Sequence, residues 1–177
     1  MNKYIFCWFI LIFIYPIGLF SQIKEPTNKP EFAISLDYDN VGSSVASVRM
    51  GGNVFYGLLA AGYNWRAAND DAMVWQIGGG AHIGHGLIFN TNIEMRAIVY
   101  STFNKINTFQ YTVNLLPALK LTDQWEFYFG PNIGYIQTKD MGNKRLLNKG
   151  ITLWEDKSSS KMKHLYIGFM TGIYYRF

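Results

Sequence analysis

The chain has 177 residues, a length for one domain, with 17% aromatic but only 16% charged residues and a mean hydropathy of +0.01. Ordinary soluble domains carry about 25% charged residues, while a helical membrane protein would be far more hydrophobic, so a sheet with one apolar and one polar face fits both numbers. A net charge of +4 does not carry a nucleic-acid reading, because the basic residues gather on no helix or aromatic sheet motif.

Lys3 followed by an apolar stretch from Tyr4 to about Phe20 is the layout of a secretory signal peptide, which we place at residues 1–21. Cleavage near Ser21 would leave Gln22 first, although Leu19 departs from the small-residue rule. The rival reading is an uncleaved anchor, since the run is nearly long enough to span a bilayer. The sole cysteine, Cys7, falls in this leader, too early and without a small-residue box for lipidation. The mature chain would therefore hold no disulfide, Cys-ligated metal or Cys nucleophile. Residues 22–30, with Pro26 and Pro30, read as a periplasmic lead-in. No later run of about 18 apolar residues reads as a membrane helix.

Residues 31–177 divide into eight segments that alternate with period two. The first, 31–39, turns Phe32, Ile34, Leu36 and Tyr38 to one face, and 43–50, the weakest, turns Ala46, Val48 and Met50. Segment 54–66 presents Phe55, Leu59, Ala61, Tyr63 and Trp65, and 72–84 presents Met73, Trp75, Ile77, Ala81 and Ile83. In 87–100 the apolar set is Leu87, Phe89, Ile93, Met95 and Val99. The cleanest is 109–121, with Phe109, Tyr111, Val113, Leu115, Leu119 and Leu121 set against Gln110, Thr112, Asn114 and Lys120. Segment 125–137 offers Phe127, Phe129, Ile133 and Tyr135. The last, 164–177, sets Leu165, Ile167, Phe169, Thr171, Ile173, Tyr175 and Phe177 against His164, Tyr166, Gly168, Met170, Gly172, Tyr174 and Arg176.

A one-residue slip would reverse the two faces of a strand, so parity constrains every turn. Segments two and three differ in parity and need an even turn, for which Gly51-Gly52 is the expected two-residue loop. Segments four and five, and six and seven, share parity and need odd turns, expected at Gly84-His85-Gly86 and Thr122-Asp123-Gln124. Longer connections at 40–42, 67–71, 101–108 and 138–163 lie on the opposite side. Trp125, Phe127, Phe177 and Phe32 then form one aromatic girdle, and Trp65, Tyr63, Trp75, Tyr135 and Phe109 the other. A soluble lipocalin-like barrel would put its apolar face inside, but here that face carries the girdle tryptophans.

The final alternation, stopping at Phe177, resembles the last strand of bacterial outer-membrane β-barrels. In those proteins the closing aromatic residues, at the positions of Tyr175 and Phe177 here, are read by the barrel assembly machinery. Residues 31–177 as a whole resemble the small outer-membrane barrels of the OmpA/OmpX type. The resemblance implies an all-β, eight-stranded antiparallel up-and-down transmembrane barrel in the cell outer membrane, with both termini periplasmic and no cofactor. It implies a structural, adhesion or surface-interaction role, or service as a subunit of an envelope secretion or assembly complex; the architecture alone does not choose.

An eight-stranded barrel has an interior just filled by side chains, so no porin-like conductance is expected. The inward set includes Asp37, Arg66, Gln76, His82, Asn90, Asn92, Asn132 and a polar cluster of Glu94, Arg96, Lys120, Glu126 and Arg176. Lys120 should stand opposite Glu126 across the 122–124 turn, and such charges must pair when cut off from water. A small-ligand or ion site in this cluster is the sharper alternative to a structural plug. His82 and His85 are three apart and would point oppositely on a strand, which argues against a metal site.

Segment 139–163 is the best candidate for contacts, with Lys144, Arg145, Lys149 and Trp154 as the expected contact residues. Its basic side chains suit phosphates of lipopolysaccharide and other outer-membrane lipid, and Trp154 suits an envelope or surface protein partner. Residues 150–154 could extend a strand beyond the membrane. The weakest reading is a lipid A-modifying acyl hydrolase that would use His164 with one of Ser158, Ser159 and Ser160. The His-Ser pattern of the known deacylase barrels is absent, since Leu165 and Tyr166 follow His164.

Overall fold

The computed structural model describes residues 31–52, 54–65, 72–85, 88–102, 105–139, 150–157 and 161–177. The expected signal peptide and lead-in, Arg66, Ser158, Ser159, Ser160, Lys144, Arg145 and Lys149 lie outside these residues. The described strands are β1 (Glu31–Asp39), β2 (Ser43–Gly51), β3 (Phe55–Asn64), β4 (Ala72–His85), β5 (Phe89–Thr102), β6 (Lys105–Lys120), β7 (Trp125–Lys139), β8 (Ile151–Lys157) and β9 (Lys161–Arg176).

Neighbours pair antiparallel in chain order from β1 to β7, β7 pairs with β9, and β9 returns to β1. The seam runs from Ala33 opposite Arg176 to Asp39 opposite Met170. Eight strands thus close an up-and-down barrel without a free edge, which satisfies the backbone polar groups along its wall. β8 is a ninth described strand; among the described residues it pairs only with the upper half of β9, from Ile151 opposite Ile167 to Lys157 opposite Met162.

The faces follow the alternation of the sequence. Leu36 is 64% exposed, Phe55 71%, Ile77 61% and Met95 64%, while Asp37, Gln76, Glu94 and Arg96 between them are buried. The barrel is apolar outside and charged inside, the inverse of a lipocalin. At one end Phe32 and Phe177 rings lie 5.2 Å apart and Trp125 and Tyr175 4.8 Å apart. At the other, Trp65 meets Tyr63 edge-on and donates its indole N–H to Ser44 Oγ at 2.8 Å.

Four expectations about connections need correction. The β2–β3 reversal is not at Gly51-Gly52: Gly51 pairs with Tyr56, and Gly52 N–H donates to the Phe55 carbonyl at 2.8 Å. Parity holds but the turn moves two residues on. Gly51 serves a close strand approach instead, since a Cβ there would lie 2.3 Å from the Phe55 oxygen. Gly84 and His85 likewise belong to β4, paired with Thr91 and Asn90, and a bulge between His82 and Gly84 absorbs the extra residue. β5 and β6 run well into the expected 101–108 loop, since strand pairing above an apolar belt needs no alternation to sustain it. β7 and β9 likewise extend into 138–163, where β8 adds its ribbon. The 122–124 turn stands as expected: Leu121 N–H donates to the Trp125 carbonyl at 2.8 Å, and Thr122 Oγ1 accepts from the Gln124 and Trp125 amides.

Candidate functional site: a charged plug in the barrel lumen

Inward positions of β1, β2, β5 and their neighbours bring two carboxylates and two guanidiniums together at mid-lumen. Arg96 Nη2 and Nε reach Glu94 Oε2 at 2.5 and 2.9 Å, and its Nη1 donates to Asp37 Oδ2 at 2.7 Å and to Gln76 Oε1 at 3.0 Å. Arg49 Nε donates to Glu94 Oε1 at 2.9 Å, while its Nη2 stands 3.7 Å from Asp37 Oδ2. All four side chains are at most 5% exposed. The remaining lone pairs and protons are met by hydroxyls. Tyr56 donates to Glu94 at 2.7 Å, Tyr128 and Ser35 donate to Asp37, and Arg49 donates to Ser35. The Arg49 guanidinium also lies 5.5 and 5.4 Å from the ring centres of Tyr128 and Tyr174.

Apolar side chains seal this quartet. Val41, Val45, Val74, Ile98, Ile136 and Tyr166 belong to a buried cluster toward the β1–β2 turn. Ala33, Leu116, Ala118, Met170 and Tyr174 form a second toward the opposite end. Water is thereby kept from the ion pairs, which strengthens each contact but makes an unmatched charge costly.

The other expected lumen residues fall into two further layers. Near the tight-turn end, Glu31 accepts from Tyr174 and ion-pairs with Arg176 Nε at 2.7 Å, and His82 Nε2 stands 3.5 Å from the other Glu31 oxygen. His82 Nδ1 meets Asn92 Oδ1 at 2.6 Å. Glu126 accepts from Asn90 at 2.7 Å and from Arg176 at 3.2 Å. Lys120 does stand opposite Glu126 in register. Near the other end Tyr100 donates to Gln110 at 2.5 Å and Gln110 donates to Tyr166 at 2.6 Å. Asn114 and Asn132 face each other in the mid-lumen row of Glu94, where Asn114 Nδ2 donates to the Glu94 carbonyl at 3.4 Å.

Sequence reasoning missed Arg49, although parity on its own segment assigns odd positions inward. It also missed the tyrosines at 56, 100 and 128, which with Tyr166, already expected on the inward face of the last segment, fill the lumen with their rings while their hydroxyls close its polar network. His164, at the start of the last segment's inward set, is 4% exposed and points inward as its parity requires, its Nε2 3.4 Å from Thr152 Oγ1. Trp154 is 48% exposed on β8. Tyr175 and Phe177 stack edge-on at 4.9 Å in the girdle. Among the described residues no group of three His, Cys, Asp or Glu side chains could hold a metal ion. Among the described residues the arrangement matches charge with charge, and the hydroxyls of Ser35, Tyr56 and Tyr128 serve to satisfy the carboxylates.

No protein-family model and no curated protein matches the chain. Among the solved structures that resemble it are a transmembrane barrel and a surface protein. A de novo designed transmembrane β-barrel aligns at 12% identity and a TM-score of 0.40, over 87% of this chain and 98% of its own. Neisserial surface protein A aligns at 13% identity and a TM-score of 0.40, over 84% of this chain and 94% of its own.

Proposed function

We infer that the protein is a non-enzymatic barrel of the bacterial outer membrane that serves as a structural or surface-interaction component. One observation carries the reading: the outer wall is a belt of exposed Leu, Ile, Val, Met and Phe side chains around a neutralised, sealed interior. Only a bilayer covers such a belt at no cost, and closed barrels are the form in which strands cross one. With the lumen filled, contacts fall to the rim, where the 139–163 segment lies. Its described part, β8, exposes Ile151, Leu153 and Trp154. Lys144, Arg145 and Lys149, outside the described residues, are the proposed phosphate and protein contacts of this segment, and the termini are proposed to face the periplasm. His164 turns into the lumen, away from any lipid ester, which favours the non-enzymatic reading.

The test is a boiled against unboiled gel of the outer-membrane fraction. A folded barrel resists detergent until heated and shifts mobility on boiling; an unshifted protein in the soluble fraction would refute the proposal. Protease added to intact cells should cut within 139–163 and nowhere near Thr122. The same exposed ribbon favours a second reading, a subunit of an envelope secretion or assembly complex, for which co-purification with other envelope proteins is the discriminating result.

A further inference from the structure

The outer wall is not evenly rounded. A groove of about 530 Å³ crosses it from Ile77 on β4 through Met95 and Ala97 on β5 and Tyr111 on β6 to Tyr135 on β7 and Leu165 on β9. Its floor is Ala97, whose methyl sits in one row between Ile77 and Tyr111, both more than half exposed. Five neighbouring strands at about 4.8 Å spacing span about 19 Å, the length of one extended fatty acyl chain. The groove does not end in apolar surface. On β9 the next outward positions beyond Leu165 are Lys163, half-exposed with Gln137 and Asp156 opposite it, and then Lys161, which is exposed. An apolar trough leading to basic side chains at the rim fits an amphiphile with a phosphate at its head.

We propose that this groove holds one acyl chain of lipopolysaccharide, with a lipid A phosphate at Lys163 and Lys161. The assignment rests on the outer-membrane reading above, which puts the β9 lysines on the leaflet that faces outward. A phospholipid of the opposite leaflet would have to reach the lysines from the wrong side of the bilayer. Ala97 is the specificity element: a larger side chain there levels the wall, leaving the barrel's lumen untouched.

The experiment is native mass spectrometry of the detergent-purified full chain after incubation with purified lipopolysaccharide or, separately, phosphatidylglycerol. One lipopolysaccharide molecule should stay bound per barrel. Ala97→Phe, which fills the groove, and Lys163→Glu, which reverses the charge at its head, should each cut the retained fraction about tenfold or more. Lys163 is a half-exposed outward side chain above the groove, so its variant keeps the measurement decisive should Ala97→Phe fail to fold. Undiminished retention in the Lys163→Glu barrel, equal retention of phosphatidylglycerol, or no retained lipid on a barrel that shifts normally on unboiled gels overturns the groove assignment alone. A wild-type chain with no gel shift would overturn the membrane reading itself.

Discussion

Replacing Arg96 by Met probes the plug most directly. The central carboxylates Asp37 and Glu94 and guanidiniums Arg49 and Arg96 sum to zero charge, and the substitution leaves a net charge of −1 at mid-lumen. Glu94 would keep Arg49 at 2.9 Å, but Asp37 would retain only the more distant Arg49 contact at 3.7 Å and its hydroxyl donors. Breaking a buried ion pair from one side costs about 3–5 kcal/mol, because the partner stays desolvated and unmatched. Against a typical total of about 5–15 kcal/mol this is a large share of stability. Adding Glu94→Gln restores neutrality, so the double variant should be at least about 2 kcal/mol more stable than the sum of the singles implies. Urea titration in lipid vesicles, read as the fraction running as the folded band on unboiled gels, gives each value. Arg96→Met within about 0.5 kcal/mol of wild type, or strictly additive singles, would mean that water or relaxation compensates the charge and that the plug reasoning is wrong.

Gly134→Ala would put a methyl 2.2 Å from the Tyr166 ring and should cost about 1–3 kcal/mol by the same titration. In a Tyr166→Ala background the same glycine change should cost almost nothing, since the clash is gone. Trp65→Phe, losing only the exposed bond to Ser44, should cost no more than about 1 kcal/mol. Deleting residues 142–160 removes β8 yet leaves β9 between β7 and β1, so the unboiled shift should persist while partner or surface binding is lost.

Alternation at period two marked every barrel strand and assigned both faces, because a bilayer outside and a charged lumen inside select opposite chemistry at successive residues. Parity gave the even β2–β3 and odd β6–β7 turns but not where the first sits, and at β4–β5 the bulge between His82 and Gly84 shifts the register, so the connection after His85 is even where an odd one was expected. Gly51-Gly52 and Gly84 have turn composition, yet the first glycine makes room for a close strand and Gly84 borders a bulge, roles a single sequence does not distinguish from a loop. Strand ends beyond the apolar belt were illegible for a related reason: the Ser101-Thr102 end of β5 needs no apolar face to pair with β6. Within the lumen the sequence identified Glu94 and Arg96 as neighbours on one face. It could not reveal that Arg49, 45 residues away, completes the match, because that contact depends on barrel closure.

The uneven strand lengths show how the rim is built. β1, β2 and β3 have 9, 9 and 10 residues against 14 to 16 in β4 to β7 and in β9, so one side of the wall is cut low. β9 would there lose its neighbour above Asp39. Asn40 bridges the gap: its N–H donates to the Phe169 carbonyl at 3.1 Å, and its side-chain Oδ1 accepts from Phe169 N–H at 3.2 Å. From that point β8 takes over the edge of β9, starting at Ile151 opposite Ile167. The backbone groups of β9 thus stay paired on both sides along most of its length, first by β1, then by one asparagine, then by β8. A strand held this way projects from the barrel as a continuation of the wall rather than as a loose loop. The apolar side chains of β8 and the lysines of upper β9, Lys161 and Lys163, are therefore held in fixed relation to the barrel wall, which the contacts proposed for this rim require.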